Sequence, residues 1–161
     1  MLKVGLTGSI AVGKSFVCSV LRELGCHVLD ADATAREVVA KGTPGLAAIV
    51  REFGEGVLTE EGDLDRKKLG AIVFADKQKR ELLNSIVHPL VIEAQDRWIS
   101  DVEKTDSDGI AVIDAALMIE SGGYKRFDKL IGVRCKSATQ LERLMRRDAL
   151  SEKKKKIDFP E

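Results

Sequence analysis

Gly8-Ser9-Ile10-Ala11-Val12-Gly13-Lys14-Ser15 matches G-x-x-x-x-G-K-[ST] at every fixed position. Each residue type has a physical reason to be there. Gly8 and Gly13 permit backbone conformations that a Cβ would penalise, so consecutive N–H groups can turn inward toward phosphate oxygens. A helix opening at Lys14 adds its positive N-terminal end. Lys14 can reach β- and γ-phosphates, and the Ser15 hydroxyl can ligate Mg²⁺.

The flanking sequence supplies the context such a loop requires. Met1 to Leu6 is short and apolar, as expected of a buried parallel strand. From Lys14 to Leu24, Phe16, Val17, Val20, Leu21 and Leu24 line one expected helix face, and Gly25 is a natural stop. Cys26 to Leu29 reads as a second strand ending at Asp30. Together these make a strand–helix–strand unit with a right-handed crossover. Two more strands are expected at Ile110–Ile113 and Lys129–Val133. Between the halves of this parallel sheet lies helical sequence. Leu69, Ile72 and Val73 fit one short helix, and Leu82, Leu83, Ile86 and Val87 fit another beginning near Asp76. Pro89 is expected to end that helix at His88 and to open the next, which runs toward Ile99.

Composition narrows the class. The 161 residues are 44% hydrophobic and 32% charged, with 26 Lys and Arg against 26 Asp and Glu. That is a single globular domain with room for a small insertion, neither disordered nor collagenous. No apolar run approaches the roughly 20 residues a membrane helix needs, and Gly5, Gly8 and Gly13 interrupt any signal-like start. Cys18, Cys26 and Cys135 suggest reduced thiols in a cytoplasmic protein rather than disulfides or a zinc site. Between Arg143 and Lys156 stand seven basic residues against two acidic ones. A neutral protein with one basic arm is a poor candidate for a nucleic-acid surface, although the arm can gather phosphates.

A phosphate-binding loop specifies a nucleotide, not a reaction. An N-K-x-D motif, expected of a GTPase, is absent, which leaves small kinases and small ATP-dependent ligases or hydrolases. Asp30-Ala31-Asp32 closes the second strand, where doubly wound sheets place their ligands. A carboxylate there can take the proton of an acceptor hydroxyl, or it can simply cap the next helix, expected over Ala33–Val39. Asp32 is the expected functional carboxylate, and Asp30 divides between the two roles. Asp114, ending the third strand, is expected to hold a Mg²⁺-bound water or to cap a turn. Glu120, beside Ser121-Gly122-Gly123, is a plausible substrate contact. Arg143 and Arg147, four apart, share a helix face that can grip phosphate or face solvent. His88 is as well explained by a structural role as by ligand binding.

The combination resembles the dephospho-CoA kinase family. It is carried by Val4-Gly5-Leu6-Thr7-Gly8 with its loop, Leu29-Asp30-Ala31-Asp32 with Ala35-Arg36, and Val87-His88-Pro89-Leu90. Leu117-Met118-Ile119-Glu120, Gln140-Leu141-Glu142-Arg143-Leu144 and Arg147-Asp148 complete it, from Lys3 to about Glu152. The resemblance implies a three-layer α/β P-loop kinase fold with a parallel sheet, a helical substrate-binding insertion and an incomplete basic lid. The implied division is 1–58 with 106–142 as nucleotide core, 59–105 as CoA-binding insertion, and 143–161 as partial lid and C-terminal remnant. It also implies transfer of the ATP γ-phosphoryl group to the ribose 3′-hydroxyl of dephospho-CoA with Mg²⁺, in the last step of coenzyme A synthesis. ATP would lie on Gly8, Ser9, Ile10, Ala11, Val12, Gly13, Lys14, Ser15 and Phe16, met by Arg143 and Arg147. Lys14 and Arg143 would neutralise charge, and Asp32 would act as base. Asp32, Arg36, His88 and Glu120 would contact the acceptor.

Three departures stand out. Ala116-Leu117-Met118-Ile119-Glu120 replaces a common Pro-Leu-Leu-Phe-Glu, and Val91 and Ile92 occupy places where many members carry a basic residue. After Glu152 the family pattern continues through more lid, a strand and a helix, which nine residues cannot hold. The expectation is that segments of a longer protein are missing here. Competing functions are another small-molecule or nucleoside kinase and a non-catalytic nucleotide-binding module.

Overall fold

The computed structural model describes residues 1–119 and 121–148, the side chains of Arg147 and Asp148 excepted. Strand β1 (Leu2–Thr7) is buried from Val4 to Thr7, as a central strand covered on both faces must be. It pairs parallel with β3 (Ile110–Asp114), Leu6 opposite Asp114, and parallel with β4 (Lys129–Gly132), Thr7 opposite Gly132. With β2 (His27–Asp30) at one edge, the sheet order is β2-β3-β1-β4. The crossover through helix α1 (Lys14–Glu23) therefore leaves β1 and passes over β3 before reaching β2. The chain leaves β1 toward one edge, whereas β4 pairs on its other side. The loop after β1 thus stands where ligands of open parallel sheets collect.

Close packing explains the glycine in β1. A Cβ on Gly5 would stand 2.4 Å from Met118 Sδ and 2.7 Å from Leu130 Cδ2. The core of this part joins Val4, Leu6, Cys18 and Val112, with Val17, Leu21, Cys26, Val28, Ile131 and Val133 packed around them. The expected inner face of α1 needs correction. Val17, Cys18 and Leu21 face the sheet, whereas Phe16 and Leu24 are 73% and 74% exposed. Residues 17 and 21 are one turn apart with 18 beside them, Phe16 lies about 100° round the helix from Val17, and Leu24 is the C-cap beyond the last helical residue.

The described chain divides into two compact units, 1–29 with the residues after 104, and 30–104. The second begins earlier than an insertion over 59–105 would. Its core is Val39, Ile49, Val57 and Leu69, with Val73, Leu83, Ile86 and Val87 against them. These residues draw the segment just after α2 (Ala31–Glu37), α3 (Pro44–Phe53), α4 (Arg66–Ala75) and α5 (Lys77–Thr105) into one body. Helix α3 has a Thr43 cap and Pro44 in its first turn, a start signal carried by the sequence itself. Pro89 does not end a helix: α5 continues through it for 29 residues. An interior proline costs about 3 kcal/mol. Here both halves are anchored, Leu83, Ile86 and Val87 before it and the buried Gln95, Ile99 and Val102 after it. Among the described residues, no helix is long and apolar enough to cross a membrane.

Candidate active site

The loop from Gly8 to Ser15 connects β1 to α1, as its motif requires. Gly13 is the N-cap of α1 at φ 104°, in left-handed territory, and has no side chain to cap the helix. Nor does any acidic residue occupy the first turn. The first N–H groups of α1 are therefore offered to an anion. Gly8 leaves room for the neighbouring strand, since a Cβ there would lie 2.6 Å from the Val133 carbonyl oxygen. Ala11 adopts φ 59° and is the one non-glycine residue with positive φ among those described. Such a conformation costs on the order of 1 kcal/mol or more and gathers at functional sites. Nothing in the sequence marks it.

Lys14 and Asp114, one hundred positions apart in the chain, meet as an ion pair of 2.9 Å between Nζ and Oδ1. Both side chains are 17% exposed, so the pair is only partly screened by water. The other carboxylate oxygen, Oδ2, accepts from the Cys18 thiol at 3.4 Å. Burial, reinforced by the Asp114 charge, pushes that thiol up to about 11, so at neutral pH it remains a donor. The backbone around Asp114 is held as well. Ala115 N–H donates to the Leu6 carbonyl, and the Thr7 hydroxyl donates to the Ala116 carbonyl.

From the third side comes α6 (Ser137–Asp148). Arg143 Nη1 donates to the Val12 carbonyl at 2.9 Å, and Gln140 Nε2 donates to Ile10 O at 2.7 Å and Ser9 Oγ at 3.0 Å. These bonds tie the Val12 and Ile10 carbonyls and the Ser9 hydroxyl of the loop to α6. Arg143 also lies beside Gly13, where an added Cβ would come within 3.0 Å of Nη1. Arg143 was expected at the nucleotide. Gln140 carries no expected role beyond its motif, although its position one turn before Arg143 on the same face is a usable signal. Cys18 had no such signal, because its partner is set by the sheet.

The donors suit a nucleotide with a hard divalent cation: an exposed Ser15 at the open helix end, and a carboxylate beside Lys14. Oxygen ligands of this kind, with phosphate oxygens completing the shell, are what Mg²⁺ takes.

The remaining expected residues fall elsewhere. Asp30 caps α2, accepting from the N–H groups of Asp32 and Ala33 at 2.8 and 3.1 Å. That decides its role for capping, and it starts the helix at Ala31 rather than Ala33. Asp32, Arg36 and His88 belong to the helical unit and are exposed. None of their side chains is engaged by another described residue. Glu120, the Arg147 side chain and the residues beyond 148 expected to form a partial lid lie outside the described residues.

A family model described as CoaE, dephospho-CoA kinase, matches residues 2–157. The dephospho-CoA kinase of Streptomyces avermitilis is 49% identical over 152 residues, covering 94% of this chain and 73% of the relative. A solved structure from Thermus thermophilus matches with a TM-score of 0.80 at 27% identity, covering 95% of this chain and 75% of that one. The dephospho-CoA kinase from Campylobacter jejuni matches with a TM-score of 0.69 at 29% identity, covering 97% and 77%. The parallel sheet, the loop after its central strand and the helix that the loop opens are consistent with a P-loop kinase fold. With a match spanning nearly every residue, this chain belongs to the dephospho-CoA kinase family.

Proposed function

We propose that the protein transfers the γ-phosphoryl group of ATP to the ribose 3′-hydroxyl of dephospho-CoA, with Mg²⁺ as the divalent ion, in the cytoplasm. The observation that carries this reading is the Lys14–Asp114 pair at the mouth of an uncapped loop-to-helix junction, with Arg143 alongside. The loop N–H groups and the open end of α1 take the phosphates. Lys14 exchanges Asp114 for β- and γ-phosphate oxygens. Ser15 and Asp114, the latter through water, would hold Mg²⁺, which when bound neutralises charge on the phosphates. Phe16 borders the nucleotide. Arg143, with Arg147, spreads positive charge over the transferring group.

On the acceptor side Asp32 takes the proton of the 3′-hydroxyl as the new bond to phosphorus forms and the bond to the ADP oxygen breaks. Arg36, His88 and Glu120 orient dephospho-CoA, and the helical unit serves as its binding domain. The support for these roles is the motif each residue occupies, together with the exposure of Asp32, Arg36 and His88 and the lack of any partner for their side chains among the described residues.

The test is ADP release from the protein with ATP, Mg²⁺ and a panel of acceptors. Turnover is expected to be fastest with dephospho-CoA. Faster turnover with adenosine or a nucleoside monophosphate would overturn the acceptor. Tight ATP binding with no phosphorylated product from any acceptor would overturn transfer itself.

A further inference from the structure

Asp114 presents its two carboxylate oxygens to two different surroundings. Oδ1 meets Lys14 at 2.9 Å beside the phosphate loop. Oδ2 meets Cys18 Sγ at 3.4 Å, and Cys18, 3% exposed, sits in the seam between α1 and the sheet with Val4, Leu6 and Val112. Lys14 and Cys18 are four apart on α1, hence on one face of one helix. A single helix face therefore grips both oxygens of one strand-end acid.

The two grips respond differently to a nucleotide. Lys14 has an ammonium on a flexible stem and leaves when phosphates arrive. Cys18 has one short, buried side chain whose hydrogen bond, among the described residues, goes to Asp114. When Lys14 departs, a carboxylate held by nothing else would be free to rotate about χ2, a broad torsion. One held at Oδ2 keeps Oδ1 aimed where the ammonium stood.

We propose that Cys18 is a positioning residue for the divalent ion: its thiol fixes Asp114 through Oδ2, so that Oδ1 passes from Lys14 to a metal-bound water. This rests on the assignment of Asp114 to the metal under the proposed function. Groups that orient a metal-binding carboxylate from behind commonly matter by about tenfold or more in metal affinity.

The test compares the wild type with C18S, which keeps a donor, and with C18A and C18V, which remove it. Two quantities are measured: the Mg²⁺ concentration for half-maximal turnover with dephospho-CoA, and Mn²⁺ binding in the presence of ATP by electron paramagnetic resonance. C18A and C18V are expected to raise the half-maximal Mg²⁺ concentration and the Kd for Mn²⁺ by about tenfold, with ATP affinity in the absence of divalent ion unchanged and C18S close to wild type. The valine variant fills the space of the thiol, so a loss shared by alanine and valine is not a cavity effect. Metal dependence within twofold of wild type in both, or a C18S variant as impaired as C18A, would overturn the role. If the wild type does not phosphorylate dephospho-CoA, the proposed acceptor fails, whereas the Mn²⁺ comparison still decides for or against Cys18.

Discussion

In the helical unit the starts of the four α-helices are closed. Asp30, Thr43 and Asp65 accept from first-turn N–H groups of α2, α3 and α4, and Asp76 does the same for α5 at 2.8 and 3.2 Å. The Lys68 N–H, chief among these contacts, holds the Asp65 carboxyl below the ordinary carboxylate range. In the nucleotide unit α1 starts on Gly13 with no cap. Its polar side chains show the opposite pattern. Lys14, Asp114, Gln140 and Arg143 are already bonded to one another or to loop oxygens, whereas Asp32, Arg36 and His88 of the helical unit are unengaged. One unit keeps its backbone donors open and its side chains preset, which suits the invariant charge of a phosphate chain. The other caps the starts of its α-helices and leaves Asp32, Arg36 and His88 unengaged by other described residues, as the proposed acceptor role requires.

The sharpest way to break this contrast is Asp32→Asn. Turnover should fall by about 10² to 10⁴ while calorimetry finds ATP and dephospho-CoA binding unchanged. Binding that falls in parallel would make Asp32 a helix-start residue like Asp30, and the exposed set would lose its functional meaning. Next comes Lys14→Ala, expected to weaken ATP binding and to lower kcat/KM by about 10² to 10³, the scale for losing one preorganised positive donor. The same change strips Asp114 of its ion-pair partner, so a fluorescence binding titration and a thermal melt should both shift. Unaltered ATP affinity would contradict the idea that Lys14 is exchanged from Asp114 to phosphate.

The mildest change, Thr43→Ala, probes a cap with no chemical duty. Thr43 Oγ1 accepts from Leu46 N–H at 3.2 Å, and its loss should cost about 1 kcal/mol in urea unfolding, leaving kinetic constants alone. A kinetic defect there would mean that the closed helix starts are not merely structural.

Much of the nucleotide unit was readable in order along the chain. The strand, loop and helix from Leu2 to Glu23 are set by residues close together, because Gly8, Gly13 and the apolar runs impose local conformations. The inner face of α1 was misjudged because five apolar residues fit a helix turn equally well in sequence, and the sheet selected Val17, Cys18 and Leu21. Pro89 was misjudged for a related reason. Local propensity predicts a break, but burial on both sides offsets its cost. In the helical unit, Asp32 is marked by its place at the end of a strand, whereas Arg36 and His88 are assigned to the acceptor only through family resemblance, since an exposed polar residue looks alike whether it binds substrate or water.

Residue identity along one short segment was enough to specify a phosphate cradle, since glycine conformations, a lysine and a helix start need no distant partner. Which acid Lys14 meets was another matter. Strand order placed β3 beside β1 and brought Asp114 to Lys14 and Cys18, while α6 carried Gln140 and Arg143 onto the loop across about 130 positions of sequence. Pairings of that kind arise from how strands are ordered and packed, a property of the folded whole to which no local pattern of residues corresponds.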